Sequence, residues 1–191
     1  MAKTKIEIDT SRTKGDLVDQ LLEQHELVRR AIYGVARTTT VESRQEAFGA
    51  LRELLSRHET AEEMIVRPLT RDINGGEDVA AARMEEENDS KDVLKDLERL
   101  DIASVEFART FETFAKSVLE HAIAEETYEF PLLRQLDADE LETAEKQFLL
   151  AEKTAPTHPH PSTRSTAMNF VAGPLAAVAD RARDAVSRVT S

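Results

Sequence analysis

Four long stretches of the sequence repeat hydrophobic residues every three or four positions, with short polar breaks between them. This period places the hydrophobic side chains on one face of an α-helix. The helices are predicted at residues 16–37, from the break at residues 38–40 to an end or kink near Pro68, and at residues 77–100 and 104–136. Four amphipathic helices with short connections predict an all-α fold, an up-down-up-down antiparallel four-helix bundle.

The remaining sequence predicts additional C-terminal helices and a flexible N-terminus. Residues 1–15 are polar, and the bundle domain is assigned to residues 16–136. A short extra helix follows at 137–155, a Pro-rich linker at 156–173, and an amphipathic helix at 174–191. The apolar stripe of this last helix has to bury against the bundle or against a second subunit, so a homodimer through it is one expected arrangement.

One string of residues occurs twice, on the second and fourth predicted helices. Residues 58–68 read H-E-T-A-E-E-M-I-V-R-P, and residues 121–131 read H-A-I-A-E-E-T-Y-E-F-P. A Glu four positions after a His lies on the same face of a helix, one turn further on. Both pairs continue a hydrophobic stripe, where an unpaired carboxylate is costly to bury. The duplication therefore predicts a buried metal site with the ligands His58, Glu62, His121 and Glu125. Two His–Glu hydrogen bonds without a metal are the alternative.

The other two helices each offer one more candidate ligand. His25 lies on an apolar stripe, 33 residues before His58, the depth expected of an antiparallel neighbour. The same step back from His121 reaches Asn88, but helical phase favours the adjacent Glu87, with Glu86 or no ligand at all as alternatives. A solvated acidic run is the competing interpretation of this segment. Two more acids adjoin the predicted ligands and are further candidates, Glu59 and Glu126. Tyr128, two turns beyond His121, is expected either to line or gate the site or to be an ordinary core aromatic.

Charge and composition narrow the class of protein. The 37 acidic and 25 basic residues give a formal net charge of −12, which argues against binding to nucleic acid or to an anionic membrane. No apolar run approaches the roughly 18 residues of a membrane-spanning helix. The sequence has no cysteine, which excludes thiolate ligands and disulfides, and the start has no apolar signal segment. A cytoplasmic location is expected.

The candidate ligands carry a resemblance to a known family. The sequence over residues 16–136 resembles the hemerythrin family, specifically the bacterial HHE cation-binding domain, in His25, in both H-x-x-x-E pairs and in the Pro after each repeat. The resemblance implies a non-haem di-iron centre in a four-helix bundle, with the three histidines as terminal ligands and Glu62 and Glu125 as bridging carboxylates. The chain departs from the family at the third helix, which supplies Glu87 in place of histidine.

Three functional hypotheses follow. The first is a metal-binding protein that holds two iron ions, with manganese or zinc as alternatives, and engages O2, NO or peroxide in sensing, storage or stress defence. The second is a carboxylate-rich di-iron or di-manganese oxidase, or a peroxide-decomposing or ferroxidase-like enzyme. Glu87 as a ligand favours this second hypothesis. Hard carboxylate oxygens favour ferric over ferrous iron, which disfavours reversible oxygen carriage. The third is a structural or interaction module with a decayed metal site.

Overall fold

The regular structure of the chain is helical. The computed structural model describes residues 15–158, and within this range every regular element is a helix. The elements are α1 (Leu17–Ala36), α2 (Val41–Ala61), α3 (Arg67–Asp72), α4 (Gly76–Arg99), α5 (Val105–Ala124), α6 (Phe130–Leu133) and α7 (Ala138–Thr154). Two π-helical turns, Glu62–Val66 and Glu125–Glu129, join α2 to α3 and α5 to α6.

The predicted all-α fold class is confirmed. The short extra helix predicted at residues 137–155 is α7. Most of the predicted flexible N-terminus, most of the Pro-rich linker and the predicted helix at 174–191 lie outside the described residues, so the dimer through that helix stays a prediction.

Short polar side chains start the long helices. Asp16, Thr40, Ser104 and Asp137 each accept a hydrogen bond from the backbone amide three residues on, which satisfies a donor of the first helical turn. The predicted break at residues 38–40 therefore ends in a helix cap. Before α4, the chain turns through Gly75 with φ of 83°, a conformation that glycine adopts without a Cβ clash.

Contacts between the long helices pair residues in opposite sequence order. Across α2 and α4, Arg52 donates to Glu98, and Lys91, nearer the start of α4, contacts Glu63 just beyond the end of α2. Across α1 and the segment after α5, Arg134 donates to Asp16 at the start of α1, and Glu126 contacts Arg29 further along it. These pairs are antiparallel. The complete up-down-up-down order stays a prediction that they support.

Two hydrophobic clusters fill the bundle, one toward each end. The first lies at the end with the α1–α2 and α4–α5 connections and contains Val28, Ile32, Val35, Phe48, Leu51, Leu55, Leu94, Leu97, Phe107, Phe111, Phe114, Ala115 and Val118. The second lies at the opposite end, where α7 packs, and contains Leu17, Val18, Leu21, Ala61, Val66, Phe130, Leu133, Leu141, Ala144, Phe148 and Ala151. On α1, and along the chain from α2 and α5 into the segments that follow them, the predicted ligands fall between residues of these two clusters. On α4, Glu87 lies nearer the start of the helix than the first-cluster residues Leu94 and Leu97. The candidate site is therefore a polar layer inside the bundle.

The π-helical turns change the phase of the helices beyond each H-x-x-x-E pair. In both turns the closing amide, from Arg67 or Phe130, donates to the carbonyl five residues earlier. The proline that follows has no amide to donate. The predicted end or kink near Pro68 is therefore a local change of hydrogen bonding, after which the chain continues as α3.

The phase change moves different side chains inward. A π-helical turn contains one extra residue, which rotates everything beyond it relative to a regular α-helix. Tyr128, expected to line the site, is 63% exposed, whereas the adjacent Glu129 is fully buried. The expectation for Tyr128 was wrong for this reason. In the first repeat the same shift buries Arg67 completely.

Candidate metal centre

The six residues predicted as ligands lie together in the polar layer. Their ligand atoms form two overlapping groups, and within each group all atoms lie within 4.8 Å of one another. The group called here the first position contains His25, His58, Glu62 and Glu125, and the second position contains Glu62, Glu87, His121 and Glu125. Both groups share Glu62 and Glu125, so the geometry suits two cations joined by two carboxylates. That these residues ligate a metal stays a prediction.

The layer is buried apart from His121, whose side chain is 11% exposed. Glu62 and Glu125 are fully buried, Glu87 is 1% exposed and His25 is 2% exposed. Of the alternatives to Glu87, Asn88 has a buried side-chain oxygen without a hydrogen-bond partner, and Glu86 contacts the outer side of His121. Ionised carboxylates at this depth are costly unless a cation or hydrogen-bond donors compensate them.

Each histidine is oriented by a hydrogen bond on its outer nitrogen. The Nδ1 atoms donate to side-chain oxygens outside the two ligand groups, at 2.7–2.8 Å. The pairs are His25 with Glu126, His58 with Gln24, and His121 with Glu86. Such bonds fix the tautomer of a metal-binding imidazole and direct its other nitrogen inward. Glu126, a candidate ligand in the sequence, thus holds His25 on the side away from the centre.

The inner nitrogens face carboxylate oxygens. Nε2 of His25 lies 3.2 Å from Glu125 Oε2, Nε2 of His121 lies 3.1 Å from Glu125 Oε1, and Nε2 of His58 lies 3.5 Å from Glu62 Oε2. The remaining buried atoms of this layer without a hydrogen-bond partner include His25 Nε2, Glu62 Oε1, Glu87 Oε2 and Glu125 Oε2. Buried acceptors that face one another need a shared positive charge. Nitrogen and oxygen donors of this kind suit iron, manganese or zinc.

Protonation differs among the histidines. Burial, together with the positive charge of neighbouring groups, lowers the pKa of His58 to about 3, so its imidazole is neutral at physiological pH. Burial also acts to lower the pKa of His121, but the adjacent Glu125 carboxylate outweighs it and raises that pKa well above its usual range. A cation that binds His121 therefore displaces a proton.

The two carboxylates shared by the groups also differ in pKa. Burial and the nearby Glu125 raise the pKa of Glu62 well above its ordinary value. Burial acts to raise the pKa of Glu125 as well, but the charges of His121 and Arg67 outweigh it and hold that pKa well below its ordinary value. Glu125 is therefore the ionised carboxylate of the shared pair.

Arg67 is a functional candidate that sequence reasoning missed. Its guanidinium is fully buried and donates to Glu87, Glu125 and Glu129, and its Nη2 lies 3.4 Å from Glu62 Oε2. A regular α-helix beyond Glu62 directs Ile65 inward, and the π-helical turn directs Arg67 there instead. A proline ten residues after each histidine was the available signal for an irregular turn, but it does not specify the resulting phase.

A small cavity adjoins the layer on the side of the first hydrophobic cluster. Its volume is about 10 Å³, and its lining includes His25, His58, Glu59, His121 and Glu125. Glu59 belongs to neither ligand group, yet it is buried, and burial raises its pKa to about 7. The cavity is therefore lined by a carboxyl group, that of Glu59, that exchanges a proton near neutral pH beside the candidate ligands.

Comparison with known proteins identifies the family. The sequence profile described as the hemerythrin HHE cation binding domain matches residues 16–147. The chain belongs to the hemerythrin HHE cation-binding family. This HHE domain extends past residue 136 into α7, and the family assignment indicates cation binding. The buried His/Glu layer is a suitable site for it.

A solved structure shares the fold. The crystal structure of a hemerythrin HHE cation binding domain-containing protein from Mycobacterium kansasii is 18% identical to this chain and superposes with a TM-score of 0.66. The match covers 73% of this chain and 86% of that one. No curated protein matches the chain. Among the described residues, no helix is long and apolar enough to span a membrane.

Proposed function

We propose that this HHE-domain protein is a non-haem di-iron protein that engages O2, NO or peroxide in sensing, storage or stress defence. The observation that carries the proposal is the buried layer itself. Three imidazoles and three carboxylates from four helices converge there, and several of their acceptor atoms have no hydrogen-bond partner. A structural bundle with a decayed metal site leaves this concentration of buried acceptors unexplained.

The donor set supports a pair of cations. Each position combines two carboxylates shared with the other position and two residues of its own. Bound iron would supply Lewis acidity and redox chemistry at this layer. The chain's own contribution is to orient the imidazoles through their outer hydrogen bonds and to keep the layer dry. Manganese and zinc suit the same donors and are the alternatives.

The adjoining cavity limits the size of a small molecule that binds beside the metal. A cavity of about 10 Å³ is close to the minimum that accepts one water molecule. A ligand with two non-hydrogen atoms is closer to this size than an organic substrate is. Oxygen, nitric oxide and peroxide belong to that size class.

Metal analysis of the full chain tests the proposal. Protein reconstituted with ferrous iron under anaerobic conditions, desalted and analysed by mass spectrometry should retain iron, up to two ions per chain. The double variant His58→Ala/His121→Ala should retain almost none. His158→Ala is the matched control, because this histidine contacts Glu98 away from the layer, and it should behave as wild type. A wild-type protein that holds no iron would refute the proposal.

A peroxide-decomposing enzyme is the second candidate, and Glu59 is the observation that favours it. An acid with a pKa of about 7 is suited to general acid–base catalysis near neutral pH, and Glu59 lines the cavity beside the candidate ligands. The variant Glu59→Gln should lower peroxide turnover by about 10²-fold or more, while the iron content stays at the wild-type level. Equal turnover in the two proteins would count against catalysis through this residue.

A further inference from the structure

The guanidinium of Arg67 lies among the ligands of the second position. Its Nη2 donates to Glu87 and Glu125 and lies 3.4 Å from Glu62 Oε2, so it contacts three of the four residues of that group. Its Nε donates to Glu87 Oε1 at 2.8 Å. One oxygen of Glu87 and one of Glu125, two carboxylates of the second position, are therefore already bonded to a cationic side chain.

The first position has a different neighbour. Among the described residues of the first position, Arg67 forms its hydrogen bonds and ion pairs with the shared Glu62 and Glu125 and none with His25 or His58. The residue nine positions after the histidine is Arg67 in the first repeat and Phe130 in the second. The ring of Phe130 stacks on His25, with a centroid separation of 5.3 Å and an interplanar angle of 28°. An uncharged ring thus lies against His25, which belongs to the first position alone, whereas a permanent positive charge contacts Glu87, which belongs to the second alone.

We propose that Arg67 makes the two cation positions unequal. The first position takes a cation directly, and the second takes one only when the guanidinium withdraws from Glu87 and Glu125. This inference rests on the proposed metal-binding function and adds an order of filling to it.

The contacts of Arg67 explain why withdrawal is unfavourable. An arginine in a protein keeps its proton, so its charge cannot be removed to admit a metal. Its Nη1 donates to Glu129, and Thr70 in turn donates to Glu129 at 2.6 Å, which anchors the side chain. A buried charge that loses its partners and gains no new partners is strongly destabilised. We therefore expect affinities that differ at least about tenfold between the positions, which corresponds to about 1.4 kcal/mol.

A titration of the metal-free full-length protein with Co²⁺ tests this order of filling. Calorimetry gives the affinities, and the visible spectrum of Co²⁺ reports its coordination. The wild type should show one tight event and a second that is at least tenfold weaker. His25→Ala should remove the tight event, and Glu87→Gln should remove the weak one.

Variants of the arginine network should change the gap between the two affinities. Arg67→Gln should strengthen the second event and bring the two affinities close together. Glu129→Gln keeps all six ligands, removes an anchor of Arg67 and should narrow the gap partly, which provides a test even if Arg67→Gln does not fold. Arg71→Gln is the control, because its guanidinium contacts Met84 outside the layer, and it should preserve the gap.

The outcomes separate this inference from the proposed function. Two equal affinities in the wild type would overturn the unequal filling but leave metal binding intact. A gap that persists unchanged in both Arg67→Gln and Glu129→Gln would also overturn it. A wild type that binds no Co²⁺ and no iron would refute the proposed function, and this inference with it.

Discussion

The two repeats supply the same ligands but surround them differently. Each has a His–Glu pair at the end of a long helix, a π-helical turn that begins at the Glu, and a proline just beyond it. Nine residues after the histidine, however, one repeat carries Arg67, which binds carboxylates, and the other carries Phe130, which stacks on His25. A repeated motif thus predicts a symmetric set of candidate ligands. The residues beyond the motif determine how readily each position accepts a cation.

The largest effect on cation affinity is expected at a carboxylate that the two positions share. Glu125 belongs to both positions, and its carboxylate is the one held ionised. The variant Glu125→Gln should therefore lower cation affinity at both positions by more than about 100-fold, since truncating a buried charged partner typically costs several kcal/mol. Calorimetric titration with Co²⁺ measures it, and Glu120→Gln, an exposed change on the same helix, is the control. Retention of either event at wild-type affinity would show that Glu125 is not shared.

The stability of the metal-free protein should depend on Phe130. This side chain is 3% exposed and packs both in the second hydrophobic cluster and against His25. Phe130→Ala should reduce the free energy of unfolding by about 3–5 kcal/mol, because it removes buried apolar contacts and leaves a cavity. Urea denaturation provides the measurement. A loss below about 1 kcal/mol would mean that the ring does not support the first position.

The repeats also differ at the position directly after the histidine. Glu59 follows His58, whereas the small, buried Ala122 follows His121. Burial raises the pKa of Glu59 from 4.5 to about 7, so the folded state prefers its protonated form. The associated stability is present below about pH 4.5 and is lost as the pH rises through 7, a change of roughly 3 kcal/mol at most.

Comparison with Glu59→Gln isolates this pH dependence. Between pH 5 and pH 8, the wild type should lose more unfolding free energy than the variant, because Gln does not ionise. Denaturation at both pH values in metal-free buffer gives the difference. Parallel losses in the two proteins would place the titrating group elsewhere.

The outer hydrogen bonds of the histidines should produce the smallest of these effects. Glu126 holds His25 in the first position, and Glu86 holds His121 in the second. Changing either acid to Gln should weaken binding about 10- to 100-fold at its own position, because the imidazole loses its orienting charged partner. Glu26→Gln, an exposed acid on α1, is the control. Equal losses at both positions in one variant would contradict this division of roles.

Spacing and helical phase were sufficient to predict the ligand layer. The repeat placed two His–Glu pairs, the antiparallel step placed His25, and phase preferred Glu87 over Asn88. The structure brings all six residues together, five of them buried and His121 partly exposed. The six side chains lie together because the helices are regular up to the start of each π-helical turn, and that they bind a metal stays a prediction.

The surroundings of the layer could not be predicted in the same way. Each π-helical turn contains one extra residue. Beyond Glu62 and Glu125 this change of phase buries Arg67 and Glu129 and leaves Tyr128 exposed. Whether a helix accommodates a proline by ending, kinking or widening depends on packing against distant helices, which a local period does not contain. The burial of the charged Arg67 side chain in the layer therefore depends on packing between helices that are distant in sequence.

The central claim is that the buried layer binds cations between the four helices. Anomalous diffraction at the iron edge, from crystals of the full chain grown with ferrous iron, tests it most directly. Iron bound in the layer should give a strong peak within coordinating distance of the Nε2 atoms of His25 and His58, and a weaker one between Glu87 and His121. Iron density only at the protein surface, with no peak in the layer, would contradict it.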